Sequence, residues 1–182
     1  MNEPAIGVIE LNSLARGAVV TDVMTKRAPV RVLESHPICP GKFLIMVAGL
    51  VDDVKEAMAA GQHYGGYTMT DAVIIENLHP LVLPAIQGAT PVPDIQAVGI
   101  LETFASPACI VAADAACKAA EVNLIEVRLA NGLGGKAFFT LTGELHAVEA
   151  AVEAGIRAVE SGLLLRTEII AAPHEQLKPT LY

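Results

Sequence analysis

AIGVIEL at residues 5–11 returns as AVGILET at residues 97–103, and this near-identity decides the fold. The shift of 92 positions that aligns the two stretches also aligns Lys26 with Lys118. Self-similarity at a fixed distance is the signature of repeated structural units, and two unrelated domains would not show it. The sequence therefore predicts two tandem domains of the same fold.

The segment between the two copies is HPLVLPAIQGATPVPD, residues 79–94. Its prolines lack a backbone N–H and fix φ, so they disfavour a long helix and predict a turn-rich linker. We place the domain boundary at the end of this linker. The predicted domains are residues 1–94 and 95–182.

Hydrophobic periodicity predicts the order strand, helix, strand, turn, strand, helix, strand in each copy. In copy two, VNLIEVRL (122–129) and KAFFTLTG (136–143) flank the glycine-rich NGLGG (131–135), which predicts a hairpin. Copy one has HPICPG (36–41) at the same place, and beyond it the alignment shift grows from 92 to 94. This order predicts an α+β fold of two ferredoxin-like units.

Single residues predict where helices begin, end and face the core. Ser106, which is followed by a proline, is predicted to cap the helix after AVGILET. Gly162 is predicted to terminate the second helix of copy two. The predicted buried stripe of that helix consists of Leu145, Val148, Val152, Ile156 and Val159.

The chain is acidic, because 12 Lys and Arg residues oppose 20 Asp and Glu residues and give a net charge of −8. This balance lacks the basic surface that phosphate backbones require, so no nucleic acid is expected as a partner. No uncharged apolar run is long enough to cross a bilayer, so no membrane partner is expected either. The opening MNEPAIGVIEL lacks the positive and apolar regions of a signal peptide, and we expect a cytoplasmic protein whose three cysteines are thiols.

Cys39 is the candidate functional residue, since HPICPGK places its thiol in a turn between two prolines that stiffen the backbone. Three interpretations are open: an incidental turn thiol, a nucleophile with His36 as its base, or a metal ligand. One cysteine per chain cannot hold an iron–sulfur cluster by itself. A threefold axis through the turn would, however, bring three copies of the thiol together.

Structural roles are favoured for the other candidates. Cys109 and Cys117 lie in an alanine-rich helix and are predicted to fill the core. The glycines of GLGGK (132–136) precede a strand rather than a helix, so they predict a tight turn and not a phosphate loop. Lys26 and Lys118 end equivalent helices, where they stabilise the helix dipole or make a repeated contact at an assembly edge.

Five further motifs belong together. They are ICPGKF (38–43), GKFLIMVAG (41–49), NLHPLVLPAI (77–86), QAVGILET (96–103) and GKAFFTLTG (135–143). With the repeated openings, they resemble bacterial microcompartment (BMC) shell proteins, and both halves of the chain are similar to the domain of that family. Among its tandem-domain members, the chain resembles the iron–sulfur class.

The resemblance implies a homotrimer of two-domain chains that mimics a six-domain hexagonal tile and packs with other shell proteins. It implies that one [4Fe-4S] cluster per trimer is held by Cys39 from three chains, which suits electron transfer across the shell to an encapsulated redox enzyme. Lys26 and Lys118 would lie at the tile edges. The resemblance also implies that the hairpin loops, residues 35–41 and 130–135, line a central pore. The residues that would line it are Ser35, His36, Pro37, Ile38, Pro40 and Gly41 in copy one and Asn131, Gly132, Leu133 and Gly134 in copy two.

Two other functions compete with this one. The first is a shell tile with an open metabolite-conducting pore and no cluster, in which Cys39 is incidental. The second is a soluble enzyme or sensor on a ferredoxin-like scaffold that uses Cys39 and His36. The repeat favours the shell protein, so we expect no enzyme and assign no catalytic residue.

Overall fold

The computed structural model describes residues 4–92 and 94–181. Residues 1–3, 93 and 182 lie outside the described residues. The first predicted domain, 1–94, includes residues 1–3 of the acidic opening and residue 93, and the second, 95–182, includes residue 182. The chain forms two compact units. The first contains the residues up to Leu78 together with Ala105–Pro107 and Ala130–Gly135, and the second contains His79–Phe104, Ala108–Leu129 and the chain from Lys136 onward. The linker thus clusters with the second unit, and the boundary at residue 94 stays a prediction.

The first unit contains four strands and two helices in the predicted order. They are β1 (Ala5–Leu11), α1 (Leu14–Arg27), β2 (Arg31–Ile38), β3 (Lys42–Gly49), α2 (Val51–Gly65) and β4 (Met69–Ile75). The strands form one sheet in the order β2-β3-β1-β4, and every neighbouring pair is antiparallel. This is the strand order of a ferredoxin-like unit, as the sequence predicts.

The second repeat has the same topology, preceded by one additional short helix. Its elements are α3 (Val82–Gln87), β5 (Ala97–Thr103), α4 (Ser106–Ala119), β6 (Asn123–Leu129), β7 (Ala137–Gly143), α5 (Leu145–Ala158) and β8 (Leu164–Ile170). Its sheet has the order β6-β7-β5-β8. In the described part of the chain, no helix is both long and apolar enough to cross a membrane.

The linker is not turn-rich throughout, because α3 forms inside it. Pro84 lies in the first turn of this helix, where backbone N–H groups have no intrahelical acceptor, so its missing donor costs little. Ala85 N–H donates to the carbonyl of Leu81 and Gly88 N–H donates to that of Pro84. The prolines therefore limit the length of the helix without preventing it.

The core of each unit lies between its sheet and its helices. All seven residues of β1 are buried, so both faces of this central strand are covered, while β3 and β4 pair with its two edges. A strand enclosed in this way reads as a continuous apolar run, which explains AIGVIEL. Glu10 interrupts the run and is fully buried as well.

Helix α5 faces the core differently from the prediction. Leu145 and Ile156 are 41% and 37% exposed, so their predicted burial is wrong. The helix ends at Ala158 rather than near Gly162. Small side chains face inward because the helix packs closely on the sheet, and the buried residues are Ala147, Val148, Ala151, Val152 and Gly155.

Candidate functional site

Cys39 lies at the tip of the hairpin that joins β2 and β3. The turn consists of Cys39, Pro40 and Gly41, and the Gly41 N–H closes it by donating to the carbonyl of Ile38 at 3.1 Å. Gly41 adopts φ of +84°, a conformation that glycine tolerates best. The thiol of Cys39 is free and exposed, which confirms the predicted turn cysteine.

The predicted hairpin loop, residues 35–41, is shorter in the structure. Ser35, His36, Pro37 and Ile38 belong to β2 and pair with β3, from Ser35 opposite Ile45 to Ile38 opposite Lys42. Pro37 is compatible with pairing because β2 is the edge strand of its sheet. The assignment of these four residues to the loop is therefore wrong, whereas their place beside a pore stays a prediction.

Two of these strand residues already have polar partners. Ser35 Oγ and Thr21 Oγ1 of α1 lie 2.9 Å apart and share a hydrogen bond. His36 Nε2 lies 3.0 Å from Glu34 Oε2, and His36 Nδ1 lies 3.1 Å from the carbonyl oxygen of Pro37. Because both ring nitrogens of His36 are engaged, the structure gives no support to His36 as a base for the Cys39 thiol.

The corresponding hairpin of the second repeat carries glycines and no thiol. Gly132, Gly134 and Gly135 have φ of +73°, +62° and +89°, which confirms the predicted tight turn. Asn131, Gly132 and Gly134 are exposed and Leu133 is half-buried. A Cβ atom built on Gly135 would lie 2.7 Å from Cδ of Pro40, so only glycine fits where this turn meets the Cys39 turn within the first unit.

A buried ion pair supports the base of the Cys39 hairpin. Lys42 Nζ donates to Glu10 Oε1 at 2.6 Å, and the Ser106 backbone N–H donates to Glu10 Oε2 at 2.8 Å. The carboxylate thus has a partner on each oxygen although the side chain is fully buried. Ser106 Oγ is buried without a hydrogen-bond partner among the described residues, so its predicted capping role is wrong.

Sequence reasoning missed the pair of Glu10 and Lys42. The available signal was a single carboxylate in an otherwise apolar strand, since a buried acid requires a partner. Nothing in the sequence identifies that partner, because the two residues are 32 positions apart and meet only through pairing of β1 with β3.

The remaining two cysteines are buried, which confirms their prediction as core residues. Cys109 is fully buried and Cys117 is 7% exposed. Burial raises the pKa of the Cys109 thiol far above its ordinary value and that of Cys117 to about 12. Neutral buried thiols are poor metal ligands. Of the three thiols, Cys39 is the exposed one and therefore the candidate ligand.

Lys26 and Lys118 make the same local contact in the two repeats. Lys26 Nζ lies 2.7 Å from Asp22 Oδ2, and Lys118 Nζ lies 2.6 Å from Asp114 Oδ2. Both lysines lie in the last turn of their helices, where a positive charge also stabilises the helix dipole. Their place at a tile edge stays a prediction.

One chain offers no complete metal site. Within residues 4–92 and 94–181, no group of three or more His, Cys, Asp or Glu side chains could hold a metal ion. Cys39 supplies one exposed thiol in the turn between β2 and β3. A cluster that needs several thiolates would therefore have to draw them from several chains.

A model of the BMC domain family matches residues 5–78 and again residues 97–173. The bacterial microcompartment shell protein PduT of Citrobacter freundii is 45% identical over 174 residues, and the match covers 95% of each chain. The carboxysome shell protein CcmK1 of Thermosynechococcus vestitus is 40% identical over 88 residues, which are 47% of this chain and 76% of that protein.

Solved structures agree with these sequence relatives. The crystal structure of a microcompartment protein from Desulfitobacterium hafniense DCB matches with a TM-score of 0.86 at 44% identity, over 96% of this chain and 98% of that one. The fused permuted hexameric shell protein MSM0275 from the RMM microcompartment shares the fold, with a TM-score of 0.63 at 24% identity.

Two successive sheet-and-helix repeats of this kind define a tandem-domain shell protein. The chain belongs to the BMC domain family of bacterial microcompartment shell proteins. Because its relatives are structural shell proteins, the prediction that the chain is not an enzyme is confirmed. Its place is the microcompartment shell.

Proposed function

We propose that three copies of the chain form a trimeric shell tile in which the three Cys39 thiolates hold one [4Fe-4S] cluster. The observation that carries this proposal is the exposed, free thiol of Cys39 at the tip of the β2–β3 hairpin. The relative PduT, similar over nearly the whole chain, is a microcompartment shell protein with which this arrangement is compatible.

The donor set fits a cluster shared between chains. Iron–sulfur clusters are bound by cysteine thiolates, and each chain has one thiol that is not buried. Threefold symmetry would supply three thiolates and leave one iron for water or a partner. The glycine turn of the second repeat adds no competing thiol, so the number of protein ligands would be three per trimer.

Each part of the hairpin would have a separate task. Cys39 would bind iron, while the hydrogen bond between Gly41 N–H and the Ile38 carbonyl would fix the turn that carries it. The pair of Lys42 and Glu10 would hold the adjoining end of β3. A bound [4Fe-4S] cluster supplies one-electron transfer, which suits a tile that passes electrons to a redox enzyme inside the shell.

The test is the iron and acid-labile sulfide content of anaerobically reconstituted protein. We expect about four irons per trimer in the wild type and none in Cys39→Ser, since a [4Fe-4S] cluster needs its thiolates. Cys117→Ala is the matched control, because it removes a buried thiol and should retain the iron. Equal iron in wild type and Cys39→Ser would contradict the proposal.

A second candidate function is a tile with an open metabolite pore. It is favoured by the open space around the glycine turn of the second repeat, because a Cβ built on Gly132 or Gly134 meets nothing within 4 Å. Reconstituted wild-type protein that contains neither iron nor sulfide would support this pore and leave Cys39 without a role.

Lys26 and Lys118 are proposed to join tiles to one another and to other shell proteins. Each lysine forms the same i,i+4 ion pair with an aspartate of its own helix, which supports a repeated role at equivalent positions. Lys26→Ala combined with Lys118→Ala should abolish sheets in electron micrographs while leaving the discrete oligomer intact. Lys55→Ala, which also removes a helix-surface lysine from an ion pair, is the control that should still form sheets.

A further inference from the structure

The contact between Glu10 and Ser106 joins parts of both sequence repeats inside the first compact unit. Glu10 is the sixth residue of β1, and Ser106 is the first residue of α4. The Ser106 N–H has no acceptor within its own helix and donates instead to the buried carboxylate of Glu10. Lys42 neutralises the carboxylate from its other oxygen.

The second repeat contains the same carboxylate and lysine without the same partners. The shifts of 92 and 94 positions equate Glu10 with Glu102 and Lys42 with Lys136. Glu102 lies opposite Phe138 in β7, as Glu10 lies opposite Leu44 in β3. Glu102 is half-buried and Lys136 is exposed. Neither side chain forms a hydrogen bond or ion pair with the described residues.

The residue equivalent to Ser106 is also without its counterpart contact. This residue is Leu14, the first residue of α1, as Ser106 is the first residue of α4. Leu14 is 46% exposed, whereas Ser106 is fully buried. Among the described residues, the Glu102 carboxylate of the second repeat therefore has no donor, and the N–H at the start of α1 in the first repeat has no acceptor.

We infer that Glu102 binds a second copy of this chain, by accepting a hydrogen bond from the Leu14 backbone N–H of that copy while Lys136 pairs with the same carboxylate. This inference rests on the proposed trimer and names the contact that closes it. In a ring of three chains, each Glu102 would accept a hydrogen bond from the Leu14 N–H of the next chain. Glu10 accepts the equivalent hydrogen bond from Ser106 within its own chain.

The hairpin turns support the same pairing. Gly135, in the segment that belongs to the first unit, approaches Cδ of Pro40 so closely that a Cβ atom would not fit. Its equivalent Gly41 has nearly the same φ, +84° against +89°, but a Cβ atom there would meet nothing within 4 Å. A second copy would fill this space beside Gly41 if the arrangement of the first unit recurs between chains.

The chemistry of the contact is favourable. The amino end of α1 carries unsatisfied N–H groups and a partial positive charge, and α1 has no acidic residue in its first turn to neutralise it. A carboxylate placed there makes a charge-assisted hydrogen bond, which is stronger than a neutral one. Burial by the second copy would strengthen the bond further because water no longer competes.

The test compares Leu14→Pro with Leu14→Ala in the otherwise intact chain by sedimentation velocity over a range of protein concentrations. Both variants lose the leucine side chain, but only proline lacks the N–H. Proline is tolerated as the first residue of a helix, and Ser13 before it is already extended, with φ of −146° and ψ of 119°. Far-UV circular dichroism reports whether the helix persists.

We expect Leu14→Ala to remain a trimer and Leu14→Pro to dissociate at concentrations at least about tenfold higher, the effect of one lost hydrogen bond to a charged group. Glu102→Ala should weaken the trimer in the same way. Glu149→Ala removes an exposed carboxylate from α5 and is the control that should not.

The inference is overturned if the wild type is a trimer and neither Leu14→Pro nor Glu102→Ala changes its dissociation. In that result the trimeric tile survives and only the contact fails. A wild type that sediments as a monomer at every concentration overturns both the contact and the trimer.

Discussion

Among single residues, Glu10 shows how a buried charge connects the hairpin to the core. Its carboxylate is removed from water and accepts hydrogen bonds from Lys42 Nζ and the Ser106 N–H. A buried ion of this kind is tolerable only when it is paired and hydrogen-bonded. The base of the Cys39 hairpin is therefore fixed by polar contacts as well as by strand pairing.

Lys42→Met should be strongly destabilising. It leaves the Glu10 carboxylate buried with one partner fewer, and breaking a buried ion pair costs about 3 kcal/mol or more. The free energy of unfolding in urea measures this loss, at equal protein concentration because assembly also stabilises the fold. Lys55→Met breaks an exposed pair with Glu76 and should cost less than about 1 kcal/mol. Equal losses in the two variants would contradict a special role for Glu10.

The three thiols should differ sharply in reactivity. At pH 8 in native protein without cluster, a disulfide reagent should modify one thiol per chain quickly, because Cys39 is exposed and the other two are buried. The raised pKa values of Cys109 and Cys117 keep those thiols in the unreactive protonated form. In denaturant all three should react. Rapid native labelling of Cys39→Ser would show that a buried thiol is accessible.

Residue-level prediction from sequence succeeded where local chemistry decides the outcome. Cys39 was found because two prolines and a glycine define its turn, and Cys109 and Cys117 because alanine-rich helices bury small residues. The partner of Glu10 could not be found, since it depends on strand register and on a segment nearly one hundred residues away. The loop was predicted too long because its bounds came from the family resemblance, whereas residues 35–38 pair with β3 as part of an edge strand.

At the scale of elements, the two repeats differ in how the first helix packs on the sheet. In one repeat the helix carries the smaller residue and the strand the larger one, and in the other repeat this is reversed. In the first repeat, Gly17 of α1 faces Phe43 of β3 so closely that a Cβ atom would lie 2.2 Å from the ring carbon Cγ. The equivalent residues of the second repeat are Cys109 and Ala137, both fully buried. A small residue on one element and a larger one on the other keep the core volume nearly constant.

This exchange predicts a compensating pair of substitutions. Gly17→Cys alone should destabilise the chain by about 1–3 kcal/mol, because the thiol overlaps the ring of Phe43. Phe43→Ala alone should cost about 3 kcal/mol or more by leaving a cavity. The double variant should lose less unfolding free energy than the two single variants together, by about 1 kcal/mol or more. Urea unfolding measures all three losses. Strict additivity would contradict the proposed exchange.

Element order was predictable because the repeat supplied each pattern twice. A strand or helix signal that recurs at the same place in both copies is less ambiguous than a single one. The predicted stripe of α5 was wrong at Leu145 and Ile156 because the largest side chains were assigned to the core. Close packing instead selected small residues such as Ala151 and Gly155. Helix α3 was missed because Pro84 was treated as a breaker regardless of its position in the first turn.

At the scale of the whole molecule, a single chain leaves several groups without the partners that an assembly would supply. One chain carries one exposed thiol, an exposed start of α1 and a Glu102 carboxylate that has no partner among the described residues, and further copies would complete each of these. Further copies are expected because the chain belongs to the BMC family, whose members build shells from many copies. The expectation of a trimer comes from the resemblance, because no property of a single chain specifies threefold symmetry.

Native mass spectrometry of the anaerobically reconstituted protein counts chains and clusters in one particle, and therefore tests the shared cluster without an intermediate assumption. We expect a particle of three chains that carries one [4Fe-4S] cluster, and a Cys39→Ser particle of three chains that carries none. A cluster bound to a single chain, or one retained by the Cys39→Ser trimer, would contradict this expectation.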